Sequence, residues 1–118
     1  MKTEEILSLV ETTLDDAKGE ELKVIDVRGR TTIADYMVIA TGSSRRHVKA
    51  LSGYVAEASK EKELLPLGVE GDVDCDWVLV DLGEVIVHLM TAQTREFYQL
   101  EKLWEKPAKS SGEELATV

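Results

Sequence analysis

Three aspartates at alternate positions are the side chains of this sequence that most resemble a metal site. Clustered carboxylates such as those of Asp72, Asp74 and Asp76 are the ligands that Mg²⁺ and Ca²⁺ prefer. A calcium-binding loop also requires Gly at its sixth position and Glu at its twelfth, where this chain has Trp77 and Gly83. We therefore interpret the stretch as a solvated acidic loop and expect no bound metal.

Other reactive side chains lack the neighbours that catalysis needs. The imidazoles of His47 and His88 have no serine or cysteine at a spacing that predicts a nucleophile. The turn Gly42-Ser43-Ser44 precedes a predicted helix, but the phosphate-loop pattern and its Lys are absent. The sequence predicts no catalytic residue and no cofactor, and we expect His47 to line a helix face.

Length, charge and cysteine content restrict the class of protein. A chain of 118 residues with 43% hydrophobic and 31% charged residues is typical of one soluble globular domain. Its formal charge of -9 opposes a phosphate backbone and matches a basic protein, so we expect no nucleic acid as the main contact. The single Cys75, the acidic amino terminus and the short apolar runs predict a cytoplasmic protein without disulfide, leader or membrane span.

Hydrophobic periodicity predicts the elements that position these groups. Helices are predicted at 3–17, from Ser43 or Ser44 to Glu61, and from Thr91 or Ala92 to Trp104. Strands are predicted at 22–28, 36–41, 77–82 and 85–90, and 64–71 is either a short edge strand or a loop. This order predicts a single α/β domain at 1–105, with a mixed sheet of four or five strands flanked by helices, and a disordered tail at 106–118.

Side chains at the helix ends refine these predictions. Thr3 is the predicted N-cap of the first helix, and Ser43 or Ser44 is that of the second. The closing helix is predicted to be continuous, with four apolar side chains on one side: Phe97, Leu100, Leu103 and Trp104. The strand order does not follow from the sequence.

The strands around Gly83-Glu84 predict a hairpin with two unlike faces. Gly at the first loop position fits a type II′ turn, which pairs Leu82 with Val85. Because side chains alternate along a strand, one face is aliphatic and the other is mixed. The mixed face carries Trp77, Leu79, Asp81, Ile86, His88 and Met90.

The mixed face is the predicted partner-binding surface, since aromatic and Met side chains are enriched at the centre of protein interfaces. An alternative stays open, in which helices cover this face, so that Trp77 and Met90 belong to the core and His88 bonds to Asp81 or to backbone. The residues predicted to contact a partner, including three from the closing helix, are Trp77, Asp81, His88, Met90, Tyr98, Glu101 and Trp104.

Two separated blocks of the chain carry recognisable motifs. The first, ADYMVIATGSSRRHV at 34–48, has an Asp-aromatic-apolar strand that leads into a Thr-Gly-Ser-Ser turn and a helix. The second comprises LGVEG at 67–71 and DWVLVDLGEVIVH at 76–88, and a closing helix with Tyr98 and Trp104 follows. Together these motifs resemble the RsfS/Iojap family of ribosomal silencing factors, over roughly residues 4 to 105.

The resemblance implies a regulatory protein and not an enzyme. Such a protein binds ribosomal protein fourteen of the large ribosomal subunit and keeps the small subunit away when nutrients are scarce. The family fold is similar to nucleotidyltransferases without their catalytic acids, and members commonly form homodimers. Two alternatives stay open: a nucleotidyltransferase-like metal-dependent enzyme that uses Asp74, Asp76 and Asp81, and a homodimeric scaffold whose self-contact is the mixed hairpin face.

Overall fold

The helices and strands lie close to their predicted positions. A computed structural model describes residues 1–71 and 74–105, so the prediction of a disordered tail at 106–118 falls outside the described residues. The helices are α1 (Thr3–Asp16), α2 (Arg45–Glu61), α3 (Ala92–Tyr98) and α4 (Leu100–Glu105). The strands are β1 (Glu20–Asp26), β2 (Tyr36–Gly42), β3 (Gly68–Gly71), β4 (Trp77–Asp81) and β5 (Val85–Thr91). Within these described residues, no helix combines the length and the apolarity that crossing a membrane requires.

The five strands form one mixed sheet in the order β1-β2-β5-β4-β3. Strands β2 and β5 are parallel, and the other neighbouring pairs are antiparallel. A parallel pair needs a long crossover connection, and α2 lies in the connection between β2 and β5. The predicted mixed α/β sheet is confirmed with five strands. Residues Gly68–Gly71 form the edge strand that the sequence left undecided.

The β4–β5 hairpin has the predicted register. Trp77 lies opposite Met90, and Leu79 lies opposite His88. The Leu82 amide donates to the Val85 carbonyl at 2.9 Å, which closes the two-residue loop. Gly83 has a φ of 92°, a left-handed value that a type II′ turn requires at this position and that glycine adopts without strain.

Helices α1 and α2 cover one face of the sheet. Alternation along the strands turns one set of aliphatic side chains toward these helices, and together they form the larger core. Its fully buried members include Val38, Ala40, Val80, Val87 and Leu89 from the sheet and Ile6, Val10, Leu14, Val48, Leu51 and Val55 from the helices.

The opposite face of the sheet carries a smaller core beneath α4. Leu100 of α4 and Trp77 of β4 are partly buried against this core. Because α3 and α4 are short, they cover only part of the face. The buried side chains of this smaller core are Ile25, Val27, Ile39 and Met90.

The predicted N-cap residue is correct for α2 and wrong for α1. Ser44 is the N-cap of α2, because its hydroxyl accepts the His47 amide at 3.1 Å. The prediction of Thr3 as the cap of α1 is wrong. Thr3 is already helical, and Lys2 precedes the helix with its amide donating to the Glu5 carboxylate at 2.9 Å.

The prediction of one continuous closing helix is also wrong. Gln99 adopts the left-handed conformation, with φ 49° and ψ 47°, and separates α3 from α4. The Gln99 amide still donates to the Arg95 carbonyl at 2.8 Å, as in a helix that ends with a left-handed residue. The break changes the direction of the chain, so the expected apolar stripe is divided and both Phe97 and Leu103 are exposed.

Candidate protein-docking surface

Large apolar side chains are exposed together where β4, α3 and α4 meet. Phe97, Tyr98 and Leu103 are 78%, 57% and 70% exposed. The Tyr98 ring lies 4.9 Å from that of Phe97 in an edge-to-face arrangement, and 4.9 Å from that of Trp77. We call Trp77, Phe97, Tyr98 and Leu103 the aromatic surface. An open cleft in this region has Trp77, Tyr98 and Leu103 among its lining residues.

A hydrogen bond to the buried His88 fixes the Trp77 ring in place. The Trp77 indole Nε1 donates to His88 Nδ1 at 3.0 Å, and the two rings are tilted by 54°. Burial lowers the pKa of His88 to about 4, because the charged imidazolium loses its hydration. His88 is therefore neutral near pH 7. Nδ1 accepts the bond, and Nε2 carries the proton without a hydrogen-bond partner among the described residues.

The predicted site residues of the hairpin divide into exposed and buried ones. Trp77 is half-buried with part of its ring in the aromatic surface. Met90 is 0% exposed and His88 is buried in this conformation. Their contact with a partner remains a prediction. The alternative in which helices cover the mixed face correctly predicted this burial, because Trp77 and Leu100 pack over the smaller core that contains Met90. It was wrong about the bond of His88, whose partner is Trp77 and not Asp81.

Asp81 has a local role in the hairpin. Its carboxylate accepts the Gly83 amide at 2.9 Å, which stabilises the turn that follows β4. The side chain is half-buried and lies on the strand at the far end from Trp77. A contact between Asp81 and a partner remains a prediction.

Arg95 is a residue of this region that sequence reasoning missed. It is 8% exposed, and its Nη1 donates to the Glu21 carbonyl at 2.7 Å and to the Thr41 hydroxyl at 2.9 Å. The Glu21 carbonyl is available because β1 is irregular there, with a φ of 49° at Glu21. In the sequence Arg95 stands among polar residues of a helix and resembles an ordinary surface cation. No local signal distinguishes it.

Glu101 forms a partly buried ion pair with Arg95. Arg95 Nε lies 3.1 and 3.2 Å from the two carboxylate oxygens, and Nη2 lies 3.1 Å from one of them. Burial alone would raise the pKa of Glu101, but the hydrogen bonds and positive charge of Arg95 outweigh burial and hold the pKa below its ordinary value. Its predicted contact with a partner is untested. Trp104 lies in α4, and its side chain is outside the described part of the structure.

Asp76, one of the three aspartates at alternate positions, lies at the polar rim of the aromatic surface. Arg45 Nε donates to the Asp76 carboxylate at 2.8 Å, beside Phe97 and Tyr98. Asp72 lies outside the described residues, and Asp74 is exposed. Within residues 1–71 and 74–105, no three metal-ligating side chains come together.

His47 connects the two helices on the other face of the sheet. Its Nδ1 accepts the Ser43 amide at 2.9 Å, and its Nε2 donates to the Ala17 carbonyl at 2.9 Å. Nε2 thus joins α2 to the end of α1, while Nδ1 holds the turn that precedes α2. The interpretation of His47 as a residue of a helix face is confirmed.

A mixed α/β sheet that exposes an aromatic surface on a partly covered face is characteristic of a protein that acts by docking on another macromolecule. A family model described as "Ribosomal silencing factor during starvation" matches residues 1–117, which extends beyond the predicted range of 4 to 105. The chain belongs to this family of ribosomal silencing factors.

Individual relatives agree with the family assignment. Ribosomal silencing factor RsfS of Haemophilus influenzae is 46% identical over 92 residues, which cover 78% of this chain and 90% of that protein. A crystal structure of a Chromobacterium violaceum protein superposes with a TM-score of 0.86 at 38% identity and covers 95% of both chains. A Bacillus halodurans crystal structure has a TM-score of 0.78 at 32% identity, over 86% of this chain and 95% of that one.

Proposed function

We propose that this chain binds the large ribosomal subunit through the aromatic surface and prevents the small subunit from joining. The observation that carries the proposal is the joint exposure of Phe97, Tyr98 and Leu103 beside Trp77. Soluble proteins seldom expose several large apolar side chains together unless a partner covers them. Family membership indicates the ribosome as the partner.

The aromatic surface has the composition that contributes most to protein association. A buried aromatic side chain removes roughly 150 to 250 Å² from water, and apolar area contributes about 25 cal/mol per Å². Covering the exposed parts of Phe97 and Tyr98 therefore contributes on the order of several kcal/mol before the cost of association. We assign these two rings and Trp77 as anchors, while His88 and Met90 support them from the interior.

The charge of the chain supports a basic partner. A protein with a formal charge of -9 is attracted to a positive surface, and ribosomal proteins are a basic class. Together with the motifs at 34–48 and 76–88, this supports ribosomal protein fourteen of the large subunit as the docking site. The binding takes place in the cytoplasm and represses translation when nutrients are limiting.

The proposed mechanism is steric and needs no chemical step. The two ribosomal subunits join by direct contact, and atoms in contact approach within about 4 Å of each other. This domain measures 22 Å along its shortest principal axis. A domain of that thickness on the joining face of the large subunit therefore keeps the small subunit out of contact range.

A homodimer and a nucleotidyltransferase-like enzyme are the two alternatives to a monomer that docks on the ribosome. The homodimer implied by the resemblance was predicted to use the mixed hairpin face, which includes Trp77. If the dimer uses that face, dimer and ribosome compete for it. The nucleotidyltransferase-like alternative gains nothing from the described residues: the Asp81 carboxylate accepts the Gly83 amide, and the Asp76 carboxylate pairs with Arg45.

The function is tested by sedimentation of purified ribosomal subunits with the chain. We expect the chain to sediment with free large subunits, to be absent from joined ribosomes, and to reduce joining when it is added first. Phe97→Ala and Tyr98→Ala should weaken binding at least about tenfold each, as residues that anchor an interface do. Their unfolding should change little, because both rings are exposed.

A matched control comes from the other side of the domain. Tyr54 on α2 is 55% exposed, close to the exposure of Tyr98, and α2 packs on the opposite face of the sheet. Tyr54→Ala should bind large subunits like the unchanged chain. Enrichment of the chain in joined ribosomes would contradict the silencing function. Equal loss of binding in Tyr54→Ala and Tyr98→Ala would contradict the assignment of the surface.

A further inference from the structure

We infer that Arg95 is a positioning residue for the aromatic surface, because its guanidinium holds α4, through Glu101, in the place that completes this surface. The inference rests on the proposed docking function. It gives Glu101 an internal role, in contrast to the direct partner contact that the sequence predicted.

The aromatic surface is assembled from separate elements. Tyr98 stands at the end of α3, Leu103 belongs to α4, and Trp77 belongs to β4. The cleft between them has lining residues from β4, α3 and α4. The shape presented to a partner therefore depends on where α4 lies relative to the other two elements.

Helix α4 is too short to be stable without contacts to the rest of the protein. It spans only Leu100–Glu105, and isolated helices this short are unstable in water. A single residue, Gln99, connects it to α3 and adopts the left-handed conformation, which costs free energy in residues other than glycine. Contacts outside the helix must therefore fix α4 in place. Leu100 in the smaller core is one such contact, and the Arg95–Glu101 pair is another.

Arg95 is itself rigidly held. Its guanidinium bonds to Glu21 in β1 and Thr41 in β2, and on its remaining side it meets the carboxylate of Glu101. A planar guanidinium can satisfy all these acceptors at once, whereas a lysine amine cannot match the bidentate geometry. The position of α4 is thereby fixed relative to the sheet that carries Trp77.

The test is Glu101→Gln, which keeps the size of the side chain and removes its charge. Two quantities are measured on the full-length chain: the dissociation constant for purified large subunits and the amide hydrogen exchange of residues 99–105. We expect affinity to fall about tenfold, because fewer molecules have α4 in the competent position. Exchange at 99–105 should become faster, while exchange in β2 and β5 stays unchanged.

Glu96→Gln is the matched control for the loss of one negative charge. Glu96 is exposed on α3, next to Arg95 in the chain, and lies at the edge of the same region. We expect this variant to retain the affinity and the exchange rates of the unchanged chain. Arg95→Lys is a second test and should weaken binding at least as much as Glu101→Gln, because it also changes the bonds to Glu21 and Thr41. The double variant Arg95→Lys/Glu101→Gln should bind no more weakly than Arg95→Lys alone, because that change already breaks the Arg95–Glu101 contact.

Several outcomes would overturn the inference. Weaker binding of Glu101→Gln with unchanged exchange at 99–105 would mean that Glu101 touches the partner directly. Faster exchange with unchanged affinity would mean that the position of α4 does not matter for docking. Faster exchange throughout the sheet would indicate a general stabilising role. If Tyr98→Ala also binds normally, the proposed docking surface fails first, and the two failures are thereby distinguished.

Discussion

At the scale of single residues, the bond between Trp77 and His88 connects the surface to the interior. His88 must be neutral to accept the indole proton at Nδ1, and its burial keeps it neutral. Protonation would place donors on both ring nitrogens, and the Trp77 bond would be lost. Lowering the pH from 6.5 to 4 should therefore weaken the folded state through this imidazole.

The pH dependence of stability tests this role of His88. The pKa of His88 is about 4 in the folded chain, and its ordinary value of 6.5 applies to the unfolded chain. The unfolded chain therefore binds the proton first as the pH falls. The stabilisation that the fold gains by keeping His88 neutral is complete above pH 6.5. It is lost as the pH falls from 6.5 to 4, and the total loss in the free energy of unfolding is about 3 kcal/mol.

The measurement is urea unfolding at pH 7 and near pH 4, with His88→Asn as the comparison. The Asn side chain does not titrate, and it offers an oxygen near the position of Nδ1. Carboxyls such as Glu101 titrate in both proteins, so the difference between them isolates His88. Parallel stability curves for the two proteins would contradict the prediction.

At the scale of elements, close packing at the junction of β2 and α2 sets the path of the crossover. Gly42 ends β2 directly before the capping turn. A Cβ atom at Gly42 would lie 2.7 Å from Val48 Cγ2 and 2.8 Å from the Val48 amide nitrogen. The second atom is backbone and cannot rotate away, so the helix can approach the strand this closely only with glycine here.

We expect Gly42→Ala to lower the free energy of unfolding by about 1 to 3 kcal/mol, the usual cost of overpacking. Gly53→Ala is the paired change. Gly53 lies inside α2, and an added Cβ there meets no atom within 4 Å. Alanine should raise helix stability by about 0.5 to 1 kcal/mol. Denaturant unfolding of both variants checks this pair, and a Gly42→Ala protein as stable as the unchanged chain would refute the packing argument.

At the scale of the whole molecule, we expect charge and the aromatic surface to have different roles in the proposed docking. The formal charge of -9 acts at long range and accelerates encounter with a basic surface. In the proposed complex the apolar rings act only in contact, and we expect them to determine how long the complex lasts. Salt should therefore affect association much more than dissociation.

Stopped-flow kinetics with large subunits tests this division. We expect the association rate constant to fall about tenfold as salt rises from roughly 0.05 to 0.5 M, with a smaller change in dissociation. The double variant Glu57→Lys/Glu61→Lys reduces the negative charge on exposed positions of α2, away from the aromatic surface. It should slow association and leave dissociation unchanged. A purely dissociative effect of salt would contradict the prediction.

Local chemistry in the sequence determined much of this protein. Hydrophobic periodicity and turn residues predict the helices and strands, the Ser44 cap and the β4–β5 register. Each of these features depends mainly on residues that are close in the chain. Composition and motifs determined the family, which the comparisons confirm. Trp77 and Tyr98 of the candidate surface were also predicted from the sequence.

Only the tertiary structure decided the features that depend on distant residues. The strand order, the break at Gln99, the burial of Met90 and His88, and the bonds of Arg95 to Glu21 and Thr41 all arise from such contacts. Helix periodicity alone favours continuing through Gln99, but the docking of α4 through Leu100 and Glu101 compensates for the left-handed residue. A local pattern cannot predict this outcome, because the stabilising partners lie far apart in the chain.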